Sequence, residues 1–151
     1  MIDLDTSDLQ LLCALRDDSR LSLRDLGAKS QLSAPSVSAR LKRLEQSGVI
    51  KGYTITICDS AFSLEVEALI YTKVRLERKD DYLDYMKKSL AVSSCMKIAG
   101  EYSYMAIASF KDIAYLNQFT ECLEQNYGQC LVNIVLNKEF VNRPPMDVTS
   151  H

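Results

Sequence analysis

The chain has 151 residues, with 18 Lys and Arg against 20 Asp and Glu for a net charge of −2. That length can bury a real core and suits two small domains better than one large one. No apolar run approaches the roughly 18 residues of a membrane span, acids stand at Asp3, Asp5 and Asp8 where a signal peptide is basic, and the only histidine is His151. A cytoplasmic protein is therefore expected, with no membrane partner, no cofactor, no metal and no catalytic residues. The five cysteines, Cys13, Cys58, Cys95, Cys122 and Cys130, are odd in number, scattered and without a C-x-x-C pair, which speaks against a disulfide or zinc framework; most sit among apolar neighbours and read as small buried hydrophobes.

Three helix starts follow one another in the first third of the chain. Leu4 and Leu9 flank Asp5 with Asp8 three residues on, Leu21 and Leu26 flank Ser22 with Asp25 three residues on, and Leu32 and Val37 flank Ser33. Each set joins an N-cap acceptor to a hydrophobic staple, which predicts helices beginning near residues 6, 23 and 34. The first carries Leu9, Leu11, Leu12, Cys13 and Leu15; the second spans about two turns, with Leu23 and Leu26 buried and Gly27 allowing close packing. In the third, Pro35 suits the first turn, Val37, Leu41 and Leu44 form one apolar stripe, and Gly48 follows Ser47 where a left-handed C′ residue is wanted. Val49 to Cys58 then turns β-rich and predicts a strand, with Tyr53, Ile55 and Ile57 alternating against Thr54 and Thr56.

The third helix presents Pro35, Ser36, Ala39, Lys42, Arg43 and Gln46 opposite its apolar stripe, with Arg40 at the margin. Short residues near the N-terminus and long cations farther on are what a helix needs to enter the major groove of double-stranded DNA. Residues 1–58 carry eight basic and seven acidic residues, whereas 59–151 carry ten and thirteen. Between Ser33 and Tyr53, however, Arg40, Lys42, Arg43 and Lys51 face Glu45 alone, and local potential governs contact with phosphate. Ser36, Ala39, Lys42 and Arg43 are the candidate base-facing residues, and Arg40 and Lys51 the candidate phosphate contacts. The short side chains offer few bidentate base contacts, so DNA shape and bendability are expected to carry much of the selectivity.

Past a connection at Asp59 to Glu65, the pattern is strand (Val66 to Leu76), helix (Asp80 to Leu90, striped by Leu83, Met86 and Leu90) and strand (Ser94 to Ala99). A break at Gly100 to Ser103 precedes a strand (Tyr104 to Phe110), a helix (Asp112 to Tyr127, striped by Ile113, Leu116, Phe119 or Thr120, and Leu123) and a last strand (Cys130 to Phe140). The order βαββαβ predicts a ferredoxin-like, four-stranded antiparallel sheet with both helices on one face. The class is α+β: a winged helix-turn-helix domain over 1–58, a connection over 59–65, a ferredoxin-like domain over 66–141 and a flexible tail over 142–151. Leu69, Tyr71 and Ile107 fall on the other sheet face, which is either solvated or covered by a partner.

The stretch from Leu4 to Tyr53 resembles the N-terminal domain of the Lrp/AsnC, or feast/famine, transcriptional regulators. The likeness rests on L-D-x-x-D at Leu4 to Asp8, D-S-R-L-S at Asp18 to Ser22, L-S at Leu32 and Ser33, and R-L-x-x-G-V-I-x-G-Y ending at Tyr53. The second half is similar to that family's effector and oligomerisation domain. The resemblance implies a recognition role for the third helix and a homodimer that assembles further, to a tetramer or octamer. It also implies a small-molecule effector such as an amino acid near Gly100, Glu101, Tyr102 and Ser103, where family members tend to carry G-D-x-D-Y. Here Ser103 replaces the second acid, and Cys130 and Val132 stand where threonines are frequent, which leaves open an altered pocket or no small-molecule response at all, with Gly100 to Ser103 then an ordinary hairpin turn. The alternative function is a small-molecule sensor whose DNA-binding domain has lost its role.

Overall fold

The computed structural model describes residues 3–55 and 57–140. The expected tail over 142–151 and Thr56 within the expected wing strand lie outside the described residues. The chain divides into two compact units, one ending at Ile55 and the other running to Glu139.

The first unit is three helices: α1 (Thr6–Asp17), α2 (Leu23–Ser30) and α3 (Ala34–Gln46). Asp5, Ser22 and Ser33 cap them, each accepting from a backbone N–H in the first turn. Asp5 and Asp8 form a complete capping box, with Asp8 N–H donating to Asp5 Oδ1 at 2.8 Å and Asp5 N–H to Asp8 Oδ2 at 3.1 Å. Helix α3 ends at Ser47, and Gly48 follows with φ +74°. The core is Leu11, Leu26 and Val37, flanked by Ala14, Leu15, Leu21, Leu32 and Leu41. Leu23, expected inside, is 41% exposed instead, because the short α2 turns Leu26 and Gly27 inward and leaves its first turn to solvent.

No strand forms over the described residues of Val49 to Cys58, contrary to expectation. The segment is irregular, tied back to α3 by Ile50 N–H to the Leu44 carbonyl at 3.1 Å and by Tyr53 OH to Glu45 Oε1 at 2.9 Å. Alternating chemistry gives a chain the propensity for a strand, but a ladder needs a second backbone, and none pairs with this segment among the described residues. A short 3₁₀ turn, Asp59–Phe62, then opens the second unit.

There the elements are β1 (Val66–Val74), α4 (Lys79–Lys88), β2 (Val92–Lys97), β3 (Tyr104–Phe110), α5 (Ile113–Asn126) and β4 (Gly128–Ile134). The sheet is antiparallel with order β2-β3-β1-β4, and the register sets Ile70 opposite both Ala106 and Val132. One face buries Ala68, Ile70, Tyr104, Ala106, Ala108 and Phe110 against Tyr82 and Met86 of α4 and Leu116, Phe119 and Leu123 of α5. The opposite face carries Leu69, Tyr71, Met105 and Ile107, half-buried, with Leu131 exposed.

Several boundaries shift for reasons of packing. Strand β4 starts earlier than expected and stops at Ile134, two residues short of the Val66 end of β1; Val135 N–H still reaches the Glu67 carbonyl at 2.8 Å, while Glu67 and Val66 go on pairing with β3 alone. Leu90, predicted on the α4 stripe, lies past the helix end and is fully exposed; Tyr82, missed by the apolar periodicity, is buried in its place. The Tyr82 hydroxyl meets Thr72 Oγ1 at 3.3 Å, which satisfies both buried polar groups, and burial pushes the phenol well above its usual range. Ile113 is also exposed, at the solvent side of the first turn of α5. All five cysteines are free, but Cys58 and Cys95 are exposed, not buried as expected: one lies in the connection and the other on an edge strand.

Candidate nucleic-acid interface

The geometry of the turn between α2 and α3 follows from three residues. Gln31 takes a left-handed conformation at φ 55°, Leu32 N–H donates to the Gly27 carbonyl at 3.0 Å, and Ser30 Oγ donates to the Leu26 carbonyl at 2.7 Å. A Cβ at Gly27 would fall 2.5 Å from the Leu32 carbonyl oxygen, so glycine is what lets the turn close against α2. Val37 and Leu44, fully buried, then fix the rotation of α3 about its axis.

That rotation exposes Ser36, Ala39 and Lys42 on one side of α3, with Lys51 exposed in the segment after it. Neither Lys42 nor Lys51 makes an ion pair among the described residues. Ser36 serves the cap as well: its N–H donates to Ser33 Oγ at 3.3 Å, and the two hydroxyls lie 2.8 Å apart.

Arg40 and Arg43 are differently placed. Arg40 Nη1 donates to Asp5 Oδ2 at 2.6 Å and to Asp8 Oδ1 at 2.8 Å, while Arg43 Nη2 pairs with Asp8 Oδ2. Asp8 is fully buried, whereas the arginine side chains remain 28% and 45% exposed. The Arg40 guanidinium, and after it the Asp8 N–H, hold the Asp5 carboxyl below its usual range; Asp5 and then Asp8 raise Arg40 in turn. Desolvating Asp8 offsets much of the Coulombic gain, so the main consequence of this cluster is positional. It joins the first turn of α1 to the middle of α3. Reading the sequence identified Asp5 and Asp8 only as a capping box; the signal for the rest was two acids at i, i+3 in one helix start and two arginines at i, i+3 on another helix.

The second candidate region is the β2–β3 hairpin. Gly100 has φ +135°, and Glu101 is exposed. Tyr102 sets its ring edge-on to Tyr71 at 6.1 Å between centroids. Ser103 holds backbone in place, since Val74 N–H donates to its hydroxyl at 3.2 Å and its own N–H donates to the Thr72 carbonyl at 3.1 Å. The hairpin is thereby fastened to β1.

Residues 4–51 match the family described as winged helix-turn-helix DNA-binding. The chain is 30% identical to the HTH-type transcriptional regulator LrpC of Bacillus subtilis over 89% of its length and 93% of that protein's. The solved structure of LrpC superposes with a TM-score of 0.86, covering 94% of this chain and 100% of the other. The chain belongs to the Lrp/AsnC family. As an Lrp/AsnC protein it is a DNA-binding transcriptional regulator with the winged helix-turn-helix and α+β sheet units of that family. It is also 35% identical to the Bkd operon transcriptional regulator of Pseudomonas aeruginosa over 79% of its length and 80% of that protein's. A transcriptional regulator of Neisseria meningitidis solved as an L-methionine complex shares 25% identity, covering 97% of this chain and 98% of the other, at a TM-score of 0.86. The related proteins of this Lrp/AsnC chain are regulators, and no helix among the described residues is long and apolar enough to cross a membrane.

Proposed function

We propose that α3 enters the major groove with Ser36 and Ala39 nearest the bases and with Lys42 and Lys51 on phosphates, and that Arg40 and Arg43 stand behind them. The observation that carries this reading is the exposed face of α3, where short residues precede an unpaired lysine. Such a face makes few base-edge contacts, so selectivity falls largely to DNA shape. Fluorescence anisotropy with a duplex across a salt series tests it. Lys42→Ala/Lys51→Ala is expected to flatten the dependence of log affinity on log salt by about 0.9 for each cation removed. Affinity independent of salt, or a slope unchanged in the double variant, would count against the reading.

The protein works as a homo-oligomer in the cytoplasm, without catalysis, and its second unit responds to a small effector such as an amino acid beside Gly100, Glu101, Tyr102 and Ser103. Support for the oligomer comes from the helix-free sheet face, where Leu69, Tyr71, Met105 and Ile107 form an apolar patch that a second copy of the same face would cover. Support for the effector comes from the exposed Glu101 carboxylate in a fastened loop and from the L-methionine complex of the Neisseria regulator. Sedimentation should show an oligomer for the wild type and a monomer for Ile107→Glu, and an L-methionine-containing amino-acid mixture should raise the wild-type melting temperature. A wild-type monomer would remove the oligomer proposal, and an unmoved melting temperature the effector.

A further inference from the structure

Resting on the reading of α3 as the DNA-facing helix, we propose that Asp8 is a positioning residue that withholds Arg40 and Arg43 from the duplex and so limits sequence-independent binding. Both of its carboxylate oxygens are engaged: Oδ1 accepts from Arg40, and Oδ2 accepts from Arg43 and from Asp5 N–H. Asp5 adds a second hold on Arg40. Two carboxylates therefore face the two guanidiniums of α3, and Lys42 is left as the unpaired cation of that helix among the described residues.

The consequence is electrostatic. Each cation that neutralises a phosphate releases counterions and adds affinity without regard to sequence. A guanidinium paired with a buried carboxylate has less net charge to offer and a restricted direction, because leaving Asp8 to reach a phosphate would strip a charge-assisted contact from a carboxylate in a dry site. Arg43, the more exposed of the two, is held at its tip and lies closest to making that exchange. The acids also arise from the helix start that caps α1, so the register of α1 sets how α3 presents its cations. A regulator restrained in this way depends on shape and on oligomerisation for tight binding, and is not captured by any duplex it meets.

The experiment measures anisotropy of a random-sequence duplex over a salt series for wild type, Asp8→Asn, Arg43→Gln and Asp8→Asn/Arg40→Gln/Arg43→Gln, each in the full chain. Asn keeps an acceptor for the capping box while removing the charge. Asp8→Asn is expected to bind about tenfold more tightly at low salt, with a slope steeper by about 0.9 for each phosphate gained, and the triple variant should lose that gain. Arg43→Gln, which leaves Asp8 paired with Arg40, should keep the wild-type slope. That variant keeps the inference falsifiable even if Asp8→Asn does not fold. A role for Asp8 in stability alone would lower the melting temperature and leave the slope unmoved. An unchanged slope in folded Asp8→Asn, or a slope already reduced in Arg43→Gln, overturns the inference while the DNA reading stands. Binding by none of the proteins overturns both.

Discussion

Leu11→Ala is expected to abolish DNA binding by unfolding the helical unit. Leu11 is fully buried and packs in a small cluster with Leu26 and Val37, ringed by partly covered neighbours. A buried Leu→Ala change costs about 2–5 kcal/mol, while a core in a unit this small rarely supplies more than about 3–5 kcal/mol. The substitution therefore removes most of what holds the three helices together. Far-ultraviolet circular dichroism should report lost helix, and anisotropy lost binding. Leu23→Ala provides the contrast: that side chain is exposed, and its removal should change stability by no more than about 0.5 kcal/mol. Full binding by Leu11→Ala would mean that the three-helix core is not what orders α3.

Gly128→Ala should destabilise the sheet unit by about 3 kcal/mol or more. Gly128 opens β4 at φ +155°, opposite Val74, and a Cβ there would overlap the Lys73 carbonyl group. The clash is with backbone, which cannot rotate away, so β4 must separate from β1 at its first rung. Thermal unfolding should show a lowered midpoint, and hydrogen exchange should show lost protection at Gln129 to Val132 ahead of the rest of the sheet. Gly52→Ala, where a Cβ meets nothing within 4 Å, should be neutral. An unshifted melt for Gly128→Ala would show that this end of the β1–β4 ladder is not under the constraint described.

Both predictions lie on features that the sequence reveals unevenly. The helix starts were legible because caps are local: Asp5, Ser22 and Ser33 act on N–H groups three residues away, and the staples lie within one turn of them. The βαββαβ order was legible because strands and helices have different periods. Tyr82 escaped because a phenol reads as amphipathic until its hydroxyl is seen to have Thr72 as a partner. The wing strand was over-read because Tyr53, Ile55 and Ile57 satisfy the alternation, yet no ladder partner is present among the described residues.

The candidate interface divides in the same way. Ser36, Ala39 and Lys42 could be placed on the outer side from the stripe Val37–Leu41–Leu44 alone, and they are exposed, as is Lys51 in the segment after the helix. For Arg40 and Arg43 the helical period gave the direction but not the partners, since Asp8 lies 32 and 35 residues away in the chain. Ser103 likewise read as a departure from a family pattern, whereas its hydroxyl serves Val74, 29 residues distant. The sequence by itself determined the regulator family, the element order and the exposed face of α3, all of which depend on residues within a few turns of one another. Only the tertiary structure decided which cations remain free, which polar groups are buried in pairs and where the strands stop, because those outcomes depend on side chains and backbones that meet through folding and not through neighbouring positions in the chain.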